Sequence, residues 1–190
     1  RILWLLIQFI SNTMSKLINL FGGPGIGKSS IAAGVFYELK RKHISCNNPY
    51  EFPKRLAWDN NLPAIKDQLY VCANQHRGIA ECYGKVDYIV VDSPVLFSLI
   101  YKTWYSKGYP AEFYSEAFNQ MVLDLHNNYD NINIMLERPE ANHNDEERFQ
   151  NLEDSIKIDA HCIKTLDENN IDYHTIKTDD NTVKKIIELL

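Results

Sequence analysis

Phe21-Gly22-Gly23-Pro24-Gly25-Ile26-Gly27-Lys28-Ser29-Ser30 contains the pattern G-x-x-x-x-G-K-S in full. Its glycines leave the backbone bare, so several N–H groups can converge on phosphate oxygens without side-chain obstruction. A helix that opens at Lys28 adds its positive end to the same place. Lys28 has the reach for β and γ phosphates, and the Ser29 hydroxyl suits Mg²⁺. Chance produces such a match in roughly 1% of chains this long. The plainer alternative is a glycine turn with a surface lysine. An apolar strand pattern before the loop and a helical pattern after it favour a phosphate loop spanning Gly22 to Ser30.

Asp92 is the second candidate. It directly follows the apolar run Tyr88-Ile89-Val90-Val91, so it stands at the carboxyl end of a strand, the edge where open parallel sheets bind ligands. A carboxylate there can hold a Mg²⁺ water or take a proton from an attacking hydroxyl. The competing reading is a helix N-cap, helped by Ser93-Pro94.

The elements that must position these residues alternate short apolar strands with longer helical patterns, the signature of a parallel α/β sheet. Strands are expected at 17–21, 44–46, 88–91, 132–136 and 173–176. Helices are expected from Lys28, with Ile31, Val35, Phe36 and Leu39 inward, and at about 182–190. Pro53 and Pro63 each suit a first helical turn. After Pro63, the residues Ile65, Leu69, Cys72, His76 and Ile79 recur at helical spacing. An aromatic-rich stretch holds Tyr101, Trp104, Tyr105, Tyr109, Phe113 and Tyr114, which serve either to stack a base or as packing.

Length and composition fit one domain: 190 residues, 45% hydrophobic and 24% charged, which excludes disordered and low-complexity classes. A net charge of −5 argues against a nucleic-acid-binding surface, though not against a local basic groove. Cys46, Cys72, Cys82 and Cys162 form no C-x-x-C pair and read as buried thiols in a reducing cytoplasm. The apolar stretch 1–10 is shorter than the roughly 20 residues a bilayer requires. Residues 1–13 are expected to be an upstream or extraneous segment, with the domain running from Met14 to Leu190.

Taken together, G-G-P-G-I-G-K-S-S, Y-E-F-P-K, D-Q with Q-H-R further on, V-D-S-P and L-E-R resemble a P-loop kinase-like family often encoded by phages. That family is related to the nicotinamide riboside kinase domain and is usually labelled an AAA-type ATPase domain. The resemblance implies a three-layer α/β/α P-loop NTPase fold with a five-stranded parallel sheet in the order 2-3-1-4-5. It also implies site residues. Glu51 matches the acidic residue beyond strand two that faces the acceptor and serves as a base. Gln68, Gln75 and Arg77 match positions that line the acceptor pocket, and Asp92 matches the acid after the central strand. Arg138 matches the arginine after strand four, and Arg148 the lid arginine, although residues 139–145 depart from the usual Tyr-x-x-x-Gly-Arg. Read without the resemblance, Glu51 is equally a loop carboxylate paired with Lys54 or Arg55, and Gln75 and Arg77 the wet face of a helix.

The expectation is therefore an enzyme that transfers phosphoryl from ATP·Mg²⁺ to a small acceptor: a nucleoside, a nucleotide or nicotinamide riboside. Glu51 or Asp92 would activate the acceptor, and Arg138 and Arg148 would offset charge on the transferred group. Two alternatives stand beside it: an ATP-hydrolysing regulatory module with a protein partner, and a kinase of hydroxymethylated bases in DNA. Neither membrane association nor a particular oligomeric state is expected from the sequence, and a homodimer stays open.

Overall fold

The computed structural model describes residues 14–105, 115–139 and 152–190. The expectations for 1–13, Tyr109, Phe113, Tyr114 and Arg148 lie outside the described residues.

The chain opens with β1 (Lys16–Phe21), the phosphate-loop segment and α1 (Lys28–Arg41), followed by β2 (Cys46–Asn47). Three helices come next, α2 (Phe52–Trp58), α3 (Leu62–Lys66) and α4 (Gln68–Cys82), before β3 (Tyr88–Val91). The remainder is α5 (Phe97–Trp104), α6 (Glu116–Asn127), β4 (Asp130–Glu137), α7 (Leu152–Glu168), β5 (His174–Lys177) and α8 (Thr182–Glu188). The five strands pair in the order β2-β3-β1-β4-β5, and each pairing is parallel. The expected fold class and strand order hold.

Alternation along β1 sends its side chains to two cores, as the period of two requires. Leu17 and Phe21 join Ile89, Val91 and Met135 beneath α4 to α7, with Ile158 and Leu166 of α7 closing that layer. Ile18 and Leu20 join Val90, Ile134 and Leu136 on the other face, covered by Val35 and Leu39 of α1 and Ile186 of α8. Covering both faces is why the central strands read as continuous apolar runs. Each fully buried aliphatic contributes about 1.5–3 kcal/mol. Asn19 is the polar exception on β1. It is buried, and its amide donates to the side-chain oxygens of Asn131 and Asn133 on β4, at 2.8 and 3.0 Å.

Two sequence expectations need correction. The helix expected after Pro63 is interrupted at Asp67, whose carboxylate accepts from the Tyr70 N–H at 3.0 Å and starts α4 afresh. The buried stripe of α4 is Gln68, Val71, Cys72, Gln75, Ile79 and Cys82, while Leu69 faces outward. The second strand also lies later and shorter than 44–46. Among the described residues no helix is long and apolar enough to cross a membrane.

Candidate active site

The loop after β1 works because of two glycine geometries. Gly27 takes φ 94°, a left-handed conformation that side-chained residues adopt at a cost, and its carbonyl accepts the first helical bond of α1 from Ile31 N–H at 2.9 Å. No acid occupies the first turn of α1, so the positive end of the helix is left to face an anion. Gly23 is needed for a different reason. A Cβ there would stand 2.3 Å from the Ser155 carbonyl oxygen of α7, so loop and helix backbone meet directly.

Lys28 lies back along the loop. Its Nζ donates to the Gly22 carbonyl at 2.6 Å and the Gly23 carbonyl at 3.0 Å, and sits 5.5 Å from the centroid of the Phe97 ring. Burial pulls its ammonium below the ordinary lysine value, against the opposing pull of Glu51, Cys162, Asp92 and Asp159. Ser29 and Ser30 are exposed at the opening of α1.

Arg138 directly follows β4, as the resemblance implies, and its guanidinium is engaged with α7 and the loop. Its Nε donates to Asp159 on α7 at 3.0 Å, and its Nη2 donates to the Pro24 carbonyl at 2.9 Å. The other oxygen of Asp159 accepts the Gly23 N–H. The side chains of this pair are 10% and 16% exposed. Arg138 is thus part of a largely buried clasp between β4, α7 and the loop.

Beside the loop lies a cavity of about 500 Å³. Gly25, Gly27, Lys28 and Ser29 form one side, and Glu51, Tyr101 and Tyr105 line it as well. Glu51 reaches this position as the residue immediately before α2, held in an extended conformation. Tyr101 and Tyr105, one turn apart on α5 and its cap, stack with centroids 5.7 Å apart and planes at 18°. Burial, and after it Tyr105, pushes the Tyr101 phenol well above its usual value. Tyr101 and its neighbour Trp104 also pack against the core beneath α4 to α7.

Gln68 and Gln75 also line the cavity, but their amides are engaged in the wall. Gln75 accepts from Phe52 N–H at 3.2 Å and donates to the Ser93 carbonyl at 2.8 Å, joining α2 to the loop after β3. Gln68 donates to the Ile65 carbonyl at 2.7 Å. Arg77 is not brought to this cavity. It pairs with Glu81 at 3.0 Å on an exposed helix face and borders a separate cleft beside Asn47 and Asn74. Asp92 is buried at the carboxyl end of β3, one residue short of the Ser93 and Pro94 that line the cavity.

A divalent cation fits this donor set. Ser29 and Asp92 are hard oxygen ligands, and Mg²⁺ ordinarily takes one or two protein oxygens and fills its remaining positions with water and phosphate. No group of three or more His, Cys, Asp or Glu side chains able to hold a metal occurs among the described residues.

A parallel β2-β3-β1-β4-β5 sheet with a glycine-rich loop between its central strand and the next helix has the architecture of a P-loop NTPase fold. The sequence agrees at the level of family: an AAA domain matches residues 17–182, and the chain belongs to that family. No curated protein matches the sequence. Among solved structures, a NadR protein in complex with NR superposes with TM-score 0.68 at 12% identity, over 92% of this chain and 47% of that one. The chain therefore spans about half the length of that NadR protein. A deoxyadenosine kinase from M. mycoides, solved with dCMP and dCDP, superposes with TM-score 0.50 at 19% identity, over 91% of this chain and 95% of that one. At these identities the likeness is one of fold.

Proposed function

We propose that this protein is a phosphotransferase that moves the γ-phosphate of ATP to a small hydroxyl- or phosphate-bearing acceptor. The observation that carries the reading is a cavity lined both by the phosphate loop and by Glu51 and the Tyr101–Tyr105 pair. The nicotinamide riboside, nucleoside and nucleotide classes all carry a flat ring on a sugar, and stacked tyrosines offer such a ring a matching face. The deoxyadenosine kinase of similar fold lends the reading support.

In this scheme the amides from Gly25 to Ser29 cradle the phosphates. Lys28 turns from the Gly22 and Gly23 carbonyls to the β and γ oxygens, and no covalent intermediate is needed. Mg²⁺, held by Ser29 and reached by Asp92 through water, would neutralise phosphate charge. Glu51 takes the acceptor proton, because its side chain borders the cavity while Asp92 sits behind the wall. Arg138 acts through the loop it clasps.

The test is ATP consumption measured across nucleosides, nucleotides and nicotinamide riboside, with ³¹P NMR to identify the phosphorylated product. The expected result is slow hydrolysis of ATP alone and a large acceleration by one acceptor class, with phosphate found on it. Fast hydrolysis that no acceptor alters, stimulated instead by a protein partner, would replace the kinase reading with the regulatory one.

A further inference from the structure

Asp159 has no place in the phosphate-loop motif, yet among the described residues it is a carboxylate bonded directly to the loop. One oxygen accepts the Gly23 N–H, and the other accepts Arg138 Nε at 3.0 Å. Arg138 in turn holds the Pro24 carbonyl at 2.9 Å, and its Nη1 is buried without a hydrogen-bond partner among the described residues. Four residues apart on the same face of α7, the Ser155 carbonyl approaches Gly23 so closely that no Cβ would fit. The first half of the loop is therefore fixed from outside, by β4 and α7, while Gly25, Gly27, Lys28 and Ser29 face the cavity.

We propose that Asp159 is a positioning residue for nucleotide binding: through Gly23 and Arg138 it holds the phosphate loop in the conformation that receives an anion. The proposal rests on the reading of this loop as a nucleotide site. It carries a sign that distinguishes it from simple electrostatics. Asp159 is a negative charge near enough to act on Lys28, so deleting its charge would tighten binding of a phosphate if charge alone mattered. It would also leave Arg138 uncompensated, which adds in the same direction. A positioning role predicts the opposite, because a loop whose amides no longer point inward loses convergent hydrogen bonds.

The experiment measures Mg·ADP affinity by calorimetry for the wild type, Asp159→Asn and Asp159→Ala, each well below its own melting temperature. Asn keeps one acceptor oxygen for Gly23 but substitutes an N–H donor where Arg138 also donates. The expected result is affinity weakened roughly tenfold or more in Asp159→Asn, about the worth of one charge-assisted hydrogen bond, and further in Asp159→Ala. The asparagine variant, nearly isosteric at a partly solvated position, decides the matter if the alanine variant fails to fold. Unchanged or tighter ADP binding in a folded Asp159→Asn would overturn the positioning role alone. Absence of ADP binding by the wild type would instead overturn the nucleotide reading on which it rests.

Discussion

The two sides of the cavity are built in opposite ways. On the phosphate side, one short segment supplies nearly every contact-forming group: glycine amides, Lys28 and Ser29 follow one another between β1 and α1. On the side proposed to take the acceptor, Glu51, Gln75, Tyr101 and Tyr105 come from three places in the chain, each a different helix or its end. The phosphate ligand is the same for every member of such a fold, so a contiguous backbone cradle suffices. An acceptor is a shape, and shapes are enclosed by elements that meet only after folding.

The comparison breaks most readily at Lys28. Lys28→Ala should lower ATP turnover by roughly 10²-fold or more, since it removes the cation aimed at the developing charge. Its melting temperature should stay within a few degrees of the wild type, because among the described residues the ammonium hydrogen-bonds only loop carbonyls. Equal turnover in a folded variant would remove the loop from the mechanism.

Glu51→Gln separates the two sides. A group that takes the acceptor proton contributes about 10²–10⁴-fold, so acceptor phosphorylation should fall within that range while ATP affinity stays near wild type. If Asp92→Asn has the larger effect on transfer and Glu51→Gln none, the base lies behind the wall and the acceptor side must be redrawn.

Gly23→Ala acts on the join between loop and α7. Its Cβ would meet the Ser155 carbonyl at 2.3 Å, and overpacking of this kind costs about 1–3 kcal/mol. Chemical denaturation should show that loss, because backbone rather than a flexible side chain must move.

The smallest effect is expected at Arg77. Arg77→Ala removes an exposed pair with Glu81, and such pairs contribute about 0–1 kcal/mol. Acceptor KM and turnover should remain within about twofold of wild type. A large rise in acceptor KM would return Arg77 to the site and show that the cleft beside Asn47 communicates with it.

Sequence patterning alone reached the sheet, its strand order through resemblance, and the phosphate loop. These are encoded locally: a strand covered on both faces must be a continuous apolar run, and a backbone cradle must be written as contiguous glycines. Glu51 was singled out by resemblance, and the residues around it give no period or spacing from which its position at the cavity could be derived. Asp159 carries one signal in the sequence. Ser155, Ile158, Cys162 and Leu166 form the buried stripe of α7, and Asp159 falls on that stripe, where an acid demands a partner. Gln68 and Gln75 gave the same signal on α4, since helical spacing places them with Cys72 and Ile79. What periodicity cannot name is the partner. Whether a buried acid meets an arginine, or a buried glutamine a backbone carbonyl, depends on which distant elements pack together, and only tertiary structure decided that Arg138 turns to Asp159 and the loop while Arg77 turns to Glu81 and solvent.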